Sequence, residues 1–367
     1  MADGSSRILR VLRYLAAFVI LAGLGLALLG PVSWLIAGST VRDIKDPKDR
    51  AAAVNQVQVT VGALLGTGAG LGAVTYTIRG YHLSRRGQVT ERYGKAVTQL
   101  ASTNVVERLG GVYALEHVMR ESEEDHQTVV EVLAAFVRNA SPVRPGRSVA
   151  GGPREDVTAA VTVLARRPVR PEKHRIDLRR SDLTGLELLP DRNGRCPRLA
   201  GADLCGVRLT GARMPGAELA DAWLAGADLA GADLRGADLS GAWLTGAVLR
   251  ETVLREARLV AAKLDEAVLD RTHFDRADLS DSWLNRATQR GAWLDGTTLT
   301  RAWLCDVDLR GSQGLNEEQL LQAGYLANTR PPAHLENRPR LARLATDWAN
   351  RPQRHLPTPH PFPWPLT

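Results

Sequence analysis

Hydrophobic and polar positions change their rhythm four times along the chain. From Tyr14 to Gly38 no residue is charged and most are apolar. At ~1.5 Å per helical residue, that run covers a hydrocarbon core of ~30 Å with some tilt to spare. Pro31 lies inside it and is expected to kink or shorten the helix. Ala51 to Ile78 is a second uncharged run, diluted by Asn55, Gln56 and Gln58. From about residue 88 the pattern becomes helical. Tyr93, Val97 and Leu100 share one face, as do Val105, Leu109, Val112 and Leu115, and Val129, Val132, Leu133 and Phe136. One more helix is predicted in the stretch EDVTAAVTVLARRP, after the Pro/Gly linker Ser141–Glu155. Short helices with one apolar face must pack together, so this region predicts a small helical spacer.

Beyond residue 170 the period becomes five, which is neither helical nor that of a plain strand. In GADLAGADLRGADLSGAWLTGAVLR (Gly226–Arg250), Leu recurs at a central position, mostly Ala two residues earlier, and a variable residue between them. In extended chain the Ala and Leu point one way and the variable residue the other. The remaining two residues can turn a corner. Repetition would wind the chain about an interior of Ala and Leu, each coil paired to the next at ~4.8 Å. Central residues run from Leu199 every five to Leu309, giving 23 phrases; Phe274 replaces Leu, and Gln289 is the one poor fit. Leu178, Leu183 and Leu188 share a phase that slips by one at LPDRNGRCP, which predicts an excursion between Leu189 and Pro197.

These phrases resemble the pentapeptide-repeat family, whose pattern is A(D/N)LXX. The resemblance implies a mainly β fold: a right-handed quadrilateral β-helix with four phrases, or 20 residues, per coil. More loosely, the spacer and the two preceding spans resemble those of membrane-anchored actinobacterial members. The expected organisation is a two-span transmembrane α-hairpin at 1–80, an α-helical spacer at 81–170 and the β-helix at 171–312. A capping helix at 313–328, with Asn316 as its N-cap, and a Pro/Arg-rich disordered tail at 329–367 complete it.

Charge refines this picture. The chain carries a net +7 and has a pI near 9.6, yet Leu199–Arg310 holds 13 basic and 17 acidic residues. The basic excess lies outside the repeat, and 42 of the 47 basic residues are Arg, which reads as GC-rich bacterial coding rather than selection for phosphate binding. Nucleic acid is therefore not the expected partner. Eight Lys/Arg flank the outer ends of the two spans and four lie in the loop between them, which predicts both termini and the rod in the cytoplasm at the plasma membrane. Gly62, Gly66 and Gly70 form a small-residue stripe that offers a surface for self-association of the span.

No candidate chemistry emerges. Cys196, Cys205 and Cys305 have no zinc or redox spacing. The repeated Asp residues point outward, His273 has no evident base or metal partner, and His117 and His126 suit solvent or capping roles. No catalytic residue, metal or cofactor is expected. At 20-residue spacing the outward positions instead form columns, one of which reads Asp203, Trp223, Trp243, Lys263, Trp283, Trp303. Stacked aromatics can stiffen a rod or serve as a protein-binding surface, and the sequence leaves both open. The expected function is a membrane-anchored, non-enzymatic binding or scaffold module for an unidentified protein partner. The alternative implied by the resemblance is a DNA mimic that binds a type II topoisomerase.

Overall fold

The computed structural model describes residues 55, 59, 89–144 and 152–343. The chain divides into two units, Met1–Gln88 and Val89–Thr367. Both predicted spans fall in the first, outside the described residues apart from Asn55 and Val59. Among the described residues no helix is long and apolar enough to cross a membrane.

In the second unit, residues 89–100 are helical, followed by α1 (Val105–Glu121), α2 (His126–Ala140) and α3 (Glu155–Ala165). Asn104 starts α1 by accepting a hydrogen bond from the Val106 N–H at 2.9 Å. Asp125 makes no such bond to α2; its carboxylate accepts instead from the Ser122 hydroxyl at 2.7 Å. Val112, Leu115, Val129, Leu133, Val157, Val161 and Leu164 are fully buried where the helices meet. Val132 and Phe136, placed in the core by periodicity, are only half-buried, while Val130 and Val137 are buried. Charge is also enclosed here. Asp156 is wholly buried and paired with Arg108 and Arg154. Burial pushes the Asp156 carboxyl up, but the hydrogen bonds from Arg154 and Arg108 outweigh it and hold the group below its usual range.

The repeat winds as the five-residue phase requires. Parallel bridges join residues 20 apart, as in Asp203 to Trp223, Asp228 to Val248 and Asp238 to Arg258. Four phrases therefore make one coil. Each side of the coil is only one bridge long, so the wall consists of isolated bridges and corners rather than extended strands. The Trp223 N–H donates to the Ala202 carbonyl one coil below, and the Trp223 carbonyl accepts from the Leu204 N–H. Within a phrase the Ala227 N–H closes onto the Leu224 carbonyl at 3.0 Å around Gly226, whose φ of +62° marks a type II-like turn. The inner residues are sealed: Ala232, Leu234, Ala237 and Leu239 have no exposed area. Where Thr replaces the inner Ala, its hydroxyl is satisfied by the coil below: Thr252 and Thr272 donate to the Leu229 and Leu249 carbonyls.

Two irregularities fall where the sequence marks them. Below the excursion, Glu187 bridges to Arg213 at a 26-residue offset, so the loop adds six residues to one coil. At Gln289 the buried amide Nε2 lacks a hydrogen-bond partner, and no bridge joins Thr288 to Asp308 among the described residues.

Both ends of the stack are covered. Pro142, just after α2, bridges antiparallel to Ser181, the Asp182 N–H donates to the Ser141 carbonyl, and the Arg198 N–H donates to the last carbonyl of α3. The helices thus cap the first coil edge, and one hydrophobic core runs without interruption from Ala96 to Leu341. At the other end, α4 (Glu317–Gln322) begins in a capping box between Asn316 and Gln319. The Gln319 amide also donates to the Leu294 and Thr297 carbonyls at 2.9 and 2.8 Å, tying α4 to the last coils. The chain then resumes the coil: Tyr325 bridges to Trp303 and Arg330 to Asp308. Disorder was expected from 329 onward, but the described part of that tail is ordered. Ala333–Leu335 forms a 3-10 turn, and Leu335 and Leu341 are buried in the core.

Candidate functional site: an aromatic column on the rod

The outward position of each phrase repeats in space every 20 residues, because side chains on bridged residues stack along the rod. On one side, consecutive parallel bridges join Asp203, Trp223, Trp243, Lys263, Trp283 and Trp303, and Tyr325 continues the column at an offset of 22. The structure thus brings together all five predicted site residues, Trp223, Trp243, Lys263, Trp283 and Trp303, on successive coils. Each is half-buried, as is Tyr325.

Contacts along the column are of two kinds, cation over ring and ring against ring. The Arg175 guanidinium lies 4.4 Å from the centroid of the Trp223 ring, and the Lys263 ammonium lies 4.2 Å from that of Trp243. Trp283 and Trp303 are tilted by 47° at 6.2 Å, and Trp303 stacks on Tyr325 at 4.6 Å and 12°. Below Trp223 the column turns polar: Arg179 contacts Asp177 at 3.0 Å and Asp203 at 3.3 Å.

Sequence reading missed two members of this column. Tyr325 returns to it only after α4, so no fixed spacing reveals it. Arg175 reaches Trp223 from just before the first parallel bridge, at Asp177, and stands off the 20-residue column. On another face His273, read as isolated, stacks on Trp293 at 4.0 Å and 2°; their 20-residue spacing was the available signal. His126, expected in a solvent or capping role, is buried at the start of α2, with Nε2 3.1 Å from Glu172.

The rod offers little that could act on a substrate. No group of three His, Cys, Asp or Glu side chains is placed to hold a metal among the described residues. Burial pushes the Cys205 thiol up to about 12 and the Cys305 thiol up to about 11, so both stay protonated and weakly nucleophilic. Many outward acids are paired rather than displayed. Arg235 holds Asp233 at 2.7 Å, Arg271 holds Glu251 at 2.9 Å, and Arg255 holds Asp275 at 2.9 Å.

Comparison with known proteins agrees with this geometry. Residues 212–250, 232–271, 252–291 and 272–311 match the family of pentapeptide repeats, in eight copies. By this repeat segment the chain belongs with the pentapeptide-repeat proteins, whose fold is the right-handed quadrilateral β-helix. No curated protein matches the sequence. Among solved structures, QnrB1, described as a plasmid-mediated fluoroquinolone resistance protein, is similar at 12% identity. That match covers 48% of this chain and 84% of QnrB1, with a TM-score of 0.33. HetL from Nostoc sp. strain PCC 7120, involved in heterocyst differentiation regulation, is 26% identical over 42% of this chain and 86% of its own, with a TM-score of 0.16. A pentapeptide repeat protein of the Arabidopsis thaliana thylakoid lumen is 27% identical over 40% and 72%, with a TM-score of 0.18.

Proposed function

We propose that this protein is a non-enzymatic protein-binding or scaffold module, held at the plasma membrane by its two N-terminal spans, with the aromatic column as its binding face. The observation that carries this reading is the unbroken run of Trp223, Trp243, Lys263, Trp283, Trp303 and Tyr325 on successive coils. Large rigid rings supply contact area at low entropic cost, and Trp and Tyr are enriched among residues that dominate interface energy. The rod interior is filled by Ala and Leu side chains, which leaves its outer faces as the surfaces on offer.

Membrane attachment rests on the two uncharged runs and the eight-to-four distribution of flanking Lys/Arg. A reporter fused after Arg86 is expected to read as cytoplasmic, and one at Asp46 as external. An external signal from the Arg86 fusion would remove the hairpin.

The binding face is tested by photo-crosslinking in intact cells. A photoreactive phenylalanine replaces Lys263 in the full chain, with the same group at Arg258, on a different column, as control. A protein adduct in the membrane fraction from position 263 and none from 258 supports the reading. Equal yields at both positions, or none at 263, contradict it. The DNA-mimic alternative is less favoured, because several outward carboxylates are neutralised by Arg partners.

A further inference from the structure

The geometry points to an occupant for the column within this same chain: the proline-rich segment 356–367 docks along Trp223–Tyr325 and covers the face that a partner protein would use. This inference rests on the column being a binding face. It draws on three observations about sequence, reach and charge.

First, the sequence from Leu356 to Thr367 is LPTPHPFPWPLT, with proline at 357, 359, 361, 363 and 365. Each proline fixes its own φ and biases the residue before it toward extended backbone. Such a sequence favours a stiff, extended segment that loses little entropy when it binds. Proline at every second position also removes the N–H groups needed to pair along a sheet edge. What remains are pyrrolidine rings, Phe362 and Trp364, the equipment by which proline-rich segments dock on aromatic-lined surfaces.

Second, the lengths agree. Trp223 and Tyr325 are separated by five bridge steps, which at ~4.8 Å per step is roughly 24 Å. Ten residues from Pro357 to Leu366 at ~3.1 Å each reach roughly 31 Å. The described chain ends at Arg343 within the C-terminal cap, where Arg340 pairs with Glu318 at 2.7 Å and Leu341 is buried. Tyr325, the last ring of the column, belongs to that same cap, and its carbonyl accepts from the Leu304 N–H at 2.9 Å. Twelve residues, 344–355, remain to connect the two.

Third, the column carries positive charge at Lys263 and Arg175, whereas residues 356–367 include no Lys, Arg, Asp or Glu. The basic residues beyond Arg343, Arg351 and Arg354, lie in the connecting part. The segment meets the column without like-charge repulsion from fixed charges.

The test is hydroxyl-radical footprinting of the purified full chain, read residue by residue by mass spectrometry. The variant carries Phe362→Ser with Trp364→Ser. Docking predicts that oxidation of Trp243, Trp283 and Trp303 rises at least threefold in the variant, while core residues such as Met214 are unchanged. Equal rates in the two proteins would overturn the proposal. Protection that disappears when the wild-type chain is diluted a hundredfold would assign the face to a second copy's tail and would overturn docking within one chain. The two readings fail separately. If the tail docks but no partner exists, the footprint changes and position 263 gives no partner adduct even in the chain carrying Phe362→Ser with Trp364→Ser. If a partner binds but the tail does not dock, the adduct forms and the footprint stays the same.

Discussion

Asp233 and Leu234 are adjacent in the chain and face opposite sides of the coil wall. Leu234 is wholly buried, while Asp233 is held outside by Arg235 at 2.7 Å. Leu234→Asp places an unpaired carboxylate in the Ala/Leu interior and is expected to cost several kcal/mol. Asp233→Asn loses a partly exposed ion pair and should cost less than about 1 kcal/mol. Thermal unfolding of the two full-length variants checks the phase, and equal losses would show it to be misassigned. A second contrast pairs two buried carboxyl groups of opposite behaviour. Asp156 is held below its usual range by Arg154 and Arg108 despite burial, so its stabilising contribution is present above the unfolded value of about 4 and fades as pH falls through the folded one. Asp156→Asn removes the anionic partner of Arg108, which keeps its bonds to the Ser102 and Thr103 carbonyls, and should cost about 3 kcal/mol at neutral pH, with a smaller deficit in acid. For Asp265, burial outweighs the hydrogen bond from Asn285 and raises the carboxyl, so its ionised form costs stability as pH rises through that higher value. Asp265→Asn should therefore raise Tm at pH 7, and the gain should shrink toward pH 4.

At the scale of the element, the corner decides how each phrase turns. Its third residue adopts positive φ in coil after coil. Glycine provides this at Gly226, Gly231, Gly236 and Gly241, but from 251 to 286 the same place holds Glu251, Glu256, Ala261, Glu266, Arg271, Arg276, Asp281 and Arg286. Left-handed backbone costs a non-glycine residue roughly 1–2 kcal/mol. Some of these corners are bridged by charge, as with Glu251 and Arg271 at 2.9 Å. Ala261 has φ +56°, an exposed position and no charge, so Ala261→Gly is the cleanest probe. It should stabilise the protein by about 1 kcal/mol, read from denaturant unfolding. Much at this scale was legible in advance. The five-residue phase placed the buried Leu and Ala residues, the excursion near Asp191 and the defect at Gln289, and Asn316 as an N-cap placed the closing helix. What escaped depended on contacts distant in sequence. The rung at Tyr325 is rejoined through α4 and breaks the 20-residue spacing. Ordered packing beyond 329 comes from isolated leucines, Leu335 and Leu341, in a Pro/Arg-rich context that composition reads as disorder. The hold of α2 and α3 on the first coil combines backbone bonds with Arg138, which reaches Asp177 at 3.2 Å, and neither leaves a periodic pattern in the sequence.

At the scale of the whole molecule, the repeat turns a one-dimensional spacing into a surface. Four phrases per coil align residues 20 apart, so Trp223, Trp243, Trp283 and Trp303 make a single column; three or five phrases would have scattered them. The column itself was legible from that spacing, whereas its end members Arg175 and Tyr325 were not, since neither falls on the 20-residue spacing. Stacked rings contribute to rigidity as well as to recognition, and the two roles separate experimentally. The most direct measurement uses the full-length chain carrying Trp223→Ser with Trp283→Ser. It records thermal unfolding and, with the photoreactive group at position 263, the yield of membrane-fraction adduct. The binding-face account predicts a shift in Tm of only a few degrees together with loss of most of the adduct. An adduct yield equal to that of the parent chain would contradict it, as would unfolding of the rod at temperatures where the parent is native.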